Sequence, residues 1–179
     1  MIRGRGETRR GPRPFPERAT MKLSHEHYMR LALRAAARGA RAGEVPIGAL
    51  LVAADGEVVS RAYNRPVGGC DPTAHAEVVA LRRAARRLGN YRLPGTTLYA
   101  TLEPCAMCAG ALVLARVACV VFAAADPKGG AARTLYRILE DPRLNHQTEV
   151  VGGVLEAESR EMLQEFFRDR RTQRLRRDV

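Results

Sequence analysis

The chain has 179 residues, 46% of them hydrophobic, and a formal net charge of +11, which suits one compact domain with a core of its own. No stretch approaches the roughly 20 apolar residues that a membrane-spanning helix needs. The N-terminal arginines run into glycine and proline rather than an apolar segment, which excludes a secretory signal, while Glu7, Glu17 and the helix breakers argue against a transit peptide. A cytoplasmic protein without membrane contact is expected. Arginine supplies nearly all of the positive charge, since Lys22 and Lys128 are the only lysines. Arginine-favouring codons account for the choice of Arg over Lys but not for the excess over acids, and that excess suits a polyanionic partner such as nucleic acid.

Residues 1–20 hold six arginines and two glutamates among Gly and Pro, a composition that reads as a disordered tail. Residues 21–171 are the expected folded domain and 172–179 a basic C-terminal extension. Ser24 can cap a helix to about residue 43, with Met29, Ala32, Leu33, Ala36 and Ala40 forming its apolar stripe. Extended segments at 46–54 and 57–63 flank Asp55-Gly56, a hairpin signal. A loop over 64–72 leads to a helix at 73–88, which Gly89 stops. A strand at 96–101, a helix at 105–115 opened by Pro104, and a strand at 118–123 follow. A short helical piece near 134–139, a strand at 149–154 broken by Gly152-Gly153, and a last helix at about 156–171 complete the chain. Strands alternating with helices after an initial hairpin indicate a mixed sheet covered by helices.

The four cysteines are Cys70, Cys105, Cys108 and Cys119. In a reducing compartment a close Cys-x-x-Cys pair reads as metal or redox chemistry rather than a disulfide framework. Two segments decide between these: His75-Ala76-Glu77 and Pro104-Cys105-Ala106-Met107-Cys108, each at the start of an expected helix. Cys105 and Cys108 lie three apart, so their sulfurs share a helix face. The partial positive charge of a helix N-terminus favours their thiolates. His75 and Glu77, two apart, can converge only if the site lies at a helix end, where side chains reach around the axis. Three ligands, His75, Cys105 and Cys108, are the pattern of a catalytic zinc with one position left for water. Glu77 is then free to carry protons. A redox pair or a structural zinc completed by Cys70 are the alternatives, and both leave Glu77 without a role. Cys119, in an apolar strand, reads as core.

A His-x-Glu segment followed by Pro-Cys-x-x-Cys is the signature of the zinc nucleobase deaminases, so these roles are carried over from that class rather than derived. The chain further resembles the bacterial tRNA-specific adenosine deaminases. The resemblance rests on Asn64-Arg65-Pro66, Asp71-Pro72-Thr73-Ala74-His75-Ala76-Glu77, Thr101-Leu102-Glu103-Pro104-Cys105 through Cys108-Ala109-Gly110, Asp126-Pro127-Lys128-Gly129-Gly130-Ala131-Ala132 and Leu144-Asn145-His146. It implies a three-layer α/β cytidine-deaminase-like fold with a central mixed five-stranded sheet and the zinc site between two helix N-termini. It also implies a homodimer with one zinc per subunit that converts adenosine to inosine at the wobble position of a tRNA anticodon stem-loop. By the same resemblance Asn64 would bond the purine edge, Val45, Ile47 and Ala76 would line the pocket, and Asp126 and His146 would meet the target nucleotide.

Asn64 and Asp126 can equally be turn residues. Arg82, Arg83, Arg86 and Arg87 can be a solvated helix face, and Arg168, Arg170 and Arg171 either touch RNA or flank the last helix. The chain departs from the family pattern at Cys70, where His is expected, at Ala125, where a basic residue is common, and at Arg133, where a small one is usual. Two other functions compete: deamination of a free base or nucleoside, and a non-catalytic zinc-stabilised RNA-binding subunit.

Overall fold

The Asp55-Gly56 pair turns the chain as its composition requires: Asp55 Oδ1 accepts the Glu57 N–H at 2.9 Å and Gly56 adopts a φ of +86°. The two arms of this hairpin are β1 (Gly48–Val52) and β2 (Val58–Tyr63), paired antiparallel from Gly48 opposite Tyr63 to Val52 opposite Val58. The structure, a computed structural model, describes residues 24–177, so the expected tail at 1–20 lies outside the described residues. No described helix is long and apolar enough to cross a membrane.

Ser24 caps α1 (His25–Arg41), its side chain accepting the His27 N–H. The segment expected as loop contains one short helix, α2 (Pro66–Gly69), closed by Cys70 in a left-handed conformation. Next come α3 (Ala76–Leu88), with Gly89 as its left-handed cap, then β3 (Thr97–Leu102), α4 (Ala106–Leu114) and β4 (Cys119–Ala124). Only a single 3₁₀ turn, Ile138–Glu140, forms in the next stretch, before β5 (Glu149–Val151) and α5 (Glu156–Arg177). That last helix continues past the expected stop near 171.

The five strands make one sheet in the order β2-β1-β3-β4-β5; β1 runs antiparallel to β2 and β3, while β3, β4 and β5 are parallel. Alternate residues of the central strands feed two cores. Ala49, Leu51, Leu98, Ala100, Val120 and Phe122 pack with residues of α3 and α4 on one face. Leu50, Val52, Tyr99, Val121 and Ala123 pack with Tyr28, Met29 and Ala32 of α1 on the other. Because both faces are covered, β1 is buried at all five positions and cannot show a polar alternation. Each large side chain fully buried here contributes about 1.5–3 kcal/mol.

This topology decides where a site can form. The carboxyl ends of β3 and β4 share one edge of the sheet, the usual place for a ligand crevice in parallel sheets. Because β1 is reversed, its beginning lies at the same edge, and so does the end of β2. Ile47, Asn64, Cys105 and Asp126 therefore all leave the sheet on one side.

Gly48 sits where α1 presses against that edge. A Cβ there would lie 2.2 Å from the Ala32 carbonyl oxygen and 2.6 Å from the Ala36 nitrogen, and neither backbone atom can yield without moving the helix. Gly48→Ala is expected to destabilise the protein by about 3 kcal/mol, read as a lower urea midpoint at unchanged slope.

Candidate metal centre and active site

The start of α3 is built so that His75 need not serve its own helix. His75 occupies the N-cap position with φ −66° and ψ 150°, but its side chain makes no cap hydrogen bond. Asn64 takes over that task from the end of β2: its Oδ1 accepts the Ala76 N–H at 2.8 Å. The imidazole is thereby left to face the sheet edge. Cys105 repeats the arrangement at α4, an N-cap residue in extended conformation with no cap bond from its side chain, and Cys108 follows within the first turn.

The three side chains meet. His75 Nδ1 lies 3.6 Å from Cys105 Sγ and 3.6 Å from Cys108 Sγ, and all three ligating atoms fall within 4.8 Å of one another. A tetrahedral zinc with bonds of roughly 2.3 Å to sulfur and 2.05 Å to nitrogen has N–S edges of about 3.6 Å. The spacing and the donor set both fit that ion. The convergence of His75 with Glu77, which required a helix end, is also explained: His75 stands one residue before the helix and Glu77 is the second residue within it.

Protonation in this cluster follows from its crowding. The Cys105 thiol is held far below its usual range, first by hydrogen bonding from the Cys108 thiol and then from His75. Cys108 is pushed up, because it shares that proton with Cys105 and because it is buried. His75 is raised, chiefly by its bond to Cys105. Burial lifts Glu77 to about 6. This carboxylate is only 3% exposed and its Oε2 has no hydrogen-bond partner among the described residues. A buried acceptor without a partner costs about 1–3 kcal/mol, so its orientation calls for a functional reason.

Two other buried carboxylates frame the site, and sequence reading did not single them out. Glu103 is 2% exposed. It accepts the backbone N–H groups of Asp126 at 3.1 Å, Ala132 at 3.1 Å, Arg133 at 2.7 Å and Thr134 at 2.9 Å, and the Thr134 hydroxyl. Burial alone would raise its carboxyl; the Thr134 hydroxyl and these N–H groups outweigh that and hold it below the ordinary value. Glu44, equally buried, accepts the Val67 and Gly68 N–H groups at 3.2 and 2.7 Å, which ties α2 to the segment entering β1. The only signal for either was an acid set among apolar neighbours, in Thr101-Leu102-Glu103-Pro104 and Glu44-Val45-Pro46.

The remaining candidates divide. Ala76 is fully buried beneath the cluster, and Val45 and Ile47 are half-buried at the start of β1. Asp126 lies at the same edge, where its Oδ1 accepts the Lys128 N–H at 2.9 Å and so forms the turn foreseen as an alternative. His146 does not join them. Its Nε2 bonds the Val117 carbonyl at 2.8 Å, ahead of β4, and six residues of strand separate that end from the site edge, roughly 20 Å. The resemblance carried by Leu144-Asn145-His146 does not fix the end of the sheet at which His146 lies: the 125–148 connection returns to the beginning of the parallel strands before β5 can start.

Arg168, Arg170 and Arg171 are all exposed, and Arg170 is tied to the fold by its bond to the Gly43 carbonyl and stacks over Phe166 at 5.2 Å. Arg133, one of the departures, is exposed, and its guanidinium bonds the Val150 carbonyl at 2.6 Å and lies 3.8 Å from Glu140.

Residues 22–124 match the model of the cytidine and deoxycytidylate deaminase zinc-binding region. A tRNA-specific adenosine deaminase of Bacillus subtilis is 52% identical over 146 residues, spanning 82% of this chain and 90% of its own length. The chain belongs to the tRNA-specific adenosine deaminase family. A solved structure from work on A-to-I editing by tRNA:A34 deaminases at the wobble position of transfer RNA is 47% identical, with a TM-score of 0.73 over 76% of this chain and 99% of that one. A guanine deaminase of Bacillus subtilis superposes less fully, at 41% identity and a TM-score of 0.55 over 57% of this chain and 66% of that one. The deaminase is therefore a zinc hydrolase of the three-layer fold expected from its motifs.

Zinc uptake should release protons, because metal must displace those held by Cys108 and shared with His75. Binding then strengthens as pH rises and weakens as it falls. Affinity is expected to drop by about one to two log units per pH unit below neutrality. Titration calorimetry in buffers of different ionisation enthalpy measures the proton count directly; a count of zero would contradict this protonation pattern.

Proposed function

We propose that the deaminase converts adenosine to inosine at the wobble position of a tRNA anticodon, as a cytoplasmic homodimer with one zinc per subunit on His75, Cys105 and Cys108. The observation that carries this reading is the buried, unpartnered Glu77 Oε2 beside a three-ligand cluster, in a chain so similar to tRNA deaminases along most of its length. A structural zinc would need a fourth protein ligand, and the described cluster contains three.

When bound, zinc supplies the Lewis acidity that makes water a nucleophile near neutral pH. Glu77 takes a proton from the attacking water and delivers it to the purine ring nitrogen beside the amine-bearing carbon. It then carries the second proton to the amine, which leaves as ammonia while the oxygen stays on the ring carbon. Burial raises the Glu77 carboxyl above the ordinary carboxylate range, which favours a group that both accepts and returns a proton.

Asn64 spends its oxygen on Ala76, and its amide nitrogen donates to no described protein group, so it is available to an acceptor on the base edge. In this reading Val45, Ile47 and Ala76 wall the pocket, and Asp126 accepts from the ribose hydroxyl through its remaining carboxylate oxygen. Arg168 and Arg171 offer charge to the RNA strand, with Arg170 holding their helix in place. The homodimer reading is supported by exposed apolar surface, Val67 on α2 and Met107 near the cluster and Leu114 at the far end of α4, that a second copy would cover.

The partial likeness to a guanine deaminase makes free-base turnover the competing reading, and +11 of charge disfavours it. The zinc-loaded protein should deaminate an anticodon stem-loop carrying wobble adenosine and leave free guanine, cytidine and adenosine unchanged. Turnover of the free compounds alone would overturn the proposal. Glu77→Gln should retain zinc and RNA binding while kcat falls by about three orders of magnitude; undiminished kcat would remove Glu77 from its role.

A further inference from the structure

The arginines of α3 are not one solvated face. They form two rows, Arg82 with Arg86 and Arg83 with Arg87, each pair four apart and therefore stacked on the helix surface. One row is occupied by the protein itself. Arg83 bonds the Arg61 carbonyl, and Arg87 bonds the Val59 carbonyl at 3.0 Å and pairs with Glu57 at 2.5 Å, closing the outer edge of β2. The other row is turned about 100° around the helix axis from the first. Arg82 and Arg86, with Arg65, line a cleft of about 340 Å³ whose floor includes Gly69 and Ala74; Arg83 also borders it, with its guanidinium bonded to the Arg61 carbonyl.

The charge in this cleft is unbalanced. Asp71 is its one acid, and that carboxylate is already held by the Thr73 N–H at 2.8 Å and hydroxyl at 2.6 Å. Its contact with Arg82 is long, 3.4 Å, and both side chains are well exposed, which makes the pair weak. Arg65 and Arg86 have no acidic partner among the described residues. Three guanidiniums around one shallow concavity repel one another unless an anion enters, and planar forked donors match phosphate oxygens.

Position identifies the anion. The cleft is the outer side of the same loop whose inner side carries the site: Arg65 directly follows Asn64, and its N–H bonds the carbonyl of Ala74, the residue before His75. A strand whose target nucleotide reaches Asn64 and His75 must run its neighbouring phosphates past this loop.

We propose that Arg65, Arg82 and Arg86 form a phosphate-binding cleft that grips the RNA backbone next to the nucleotide undergoing deamination. This rests on the reading of the substrate as RNA, and the cleft serves as the positioning surface for it. Arg87 lies outside it, and Arg83 borders it with a guanidinium already held by the Arg61 carbonyl.

The test compares two paired variants of the full, zinc-loaded chain, Arg82→Ala/Arg86→Ala and, outside the cleft, Arg61→Ala/Arg87→Ala, for binding of a labelled anticodon stem-loop at several salt concentrations. The first pair should lose affinity about tenfold or more near 0.1 M salt, with the slope of log K against log salt shallower by about 1–2. The second pair should stay within about threefold of the parent and keep its slope. Zinc content and melting temperature verify folding, and Arg82→Gln/Arg86→Gln replaces the alanine pair should that one fail to fold. Equal losses in both pairs mean diffuse charge attraction and overturn the cleft, as does unchanged binding in the first pair or no RNA binding by the parent. If the parent binds RNA through Arg82 and Arg86 yet leaves its wobble adenosine intact, the cleft stands and the deamination reading fails. If it deaminates while the first pair binds normally, the reverse holds.

Discussion

Two of the three metal-binding side chains stand one residue outside their helices, and the site depends on that placement. A residue at an N-cap has extended backbone, so its side chain projects along the helix axis instead of around it. Metal ligands there escape the 3.6-residue periodicity that would otherwise separate His75 from Glu77. The usual cost of such a position is that the N-cap side chain must satisfy the helix. Here Asn64 takes that duty for α3, so one amide both completes the helix and frees the imidazole. Removing Asn64 would disturb the start of α3 whether or not its amide also meets substrate, so a loss of activity on its own would not establish the proposed recognition role.

The sheet order brings the rest to the same place. Reversing β1 relative to β3 costs nothing in strand pairing, yet it sends Ile47 and Asn64 out of the sheet beside Cys105 and Asp126. The helices on one face carry the metal cluster and those on the other brace it: α1 against Gly48, and α5 through the Ser159 hydroxyl, which donates to the Thr101 carbonyl at 2.5 Å. Chemistry at the rim thus rests on two separate cores.

The metal cluster was legible in the sequence because its spacing is short and its residue types are restricted by coordination chemistry. The helices and strands were placed within a few residues for a similar reason, since Asp55-Gly56, Gly89 and Pro104 mark their ends by backbone geometry. What was missed depends on distance along the chain. Nothing near Glu103 reveals that its donors come from residues 126 and 132–134, and nothing near Glu44 points to Val67 and Gly68. His146 is the same case in reverse, since a neighbouring motif says little about which end of a parallel strand the chain returns to. The end of α5 was set too early because its outer turns have little apolar pattern from which to judge a stop.

Glu103 has one more consequence. Its two oxygens take up the amides of Asp126, Ala132, Arg133 and Thr134, and Gly130 packs so closely that an added Cβ would fall 2.4 Å from Oε2. The segment is thus cast onto the peptide that carries Cys105, and its path is dictated from the interior. Variation along it can alter what the surface displays, as at Ala125, but an inserted or deleted residue would pull on the metal. Diversity at this rim must therefore be written in side chains upon an unvarying backbone.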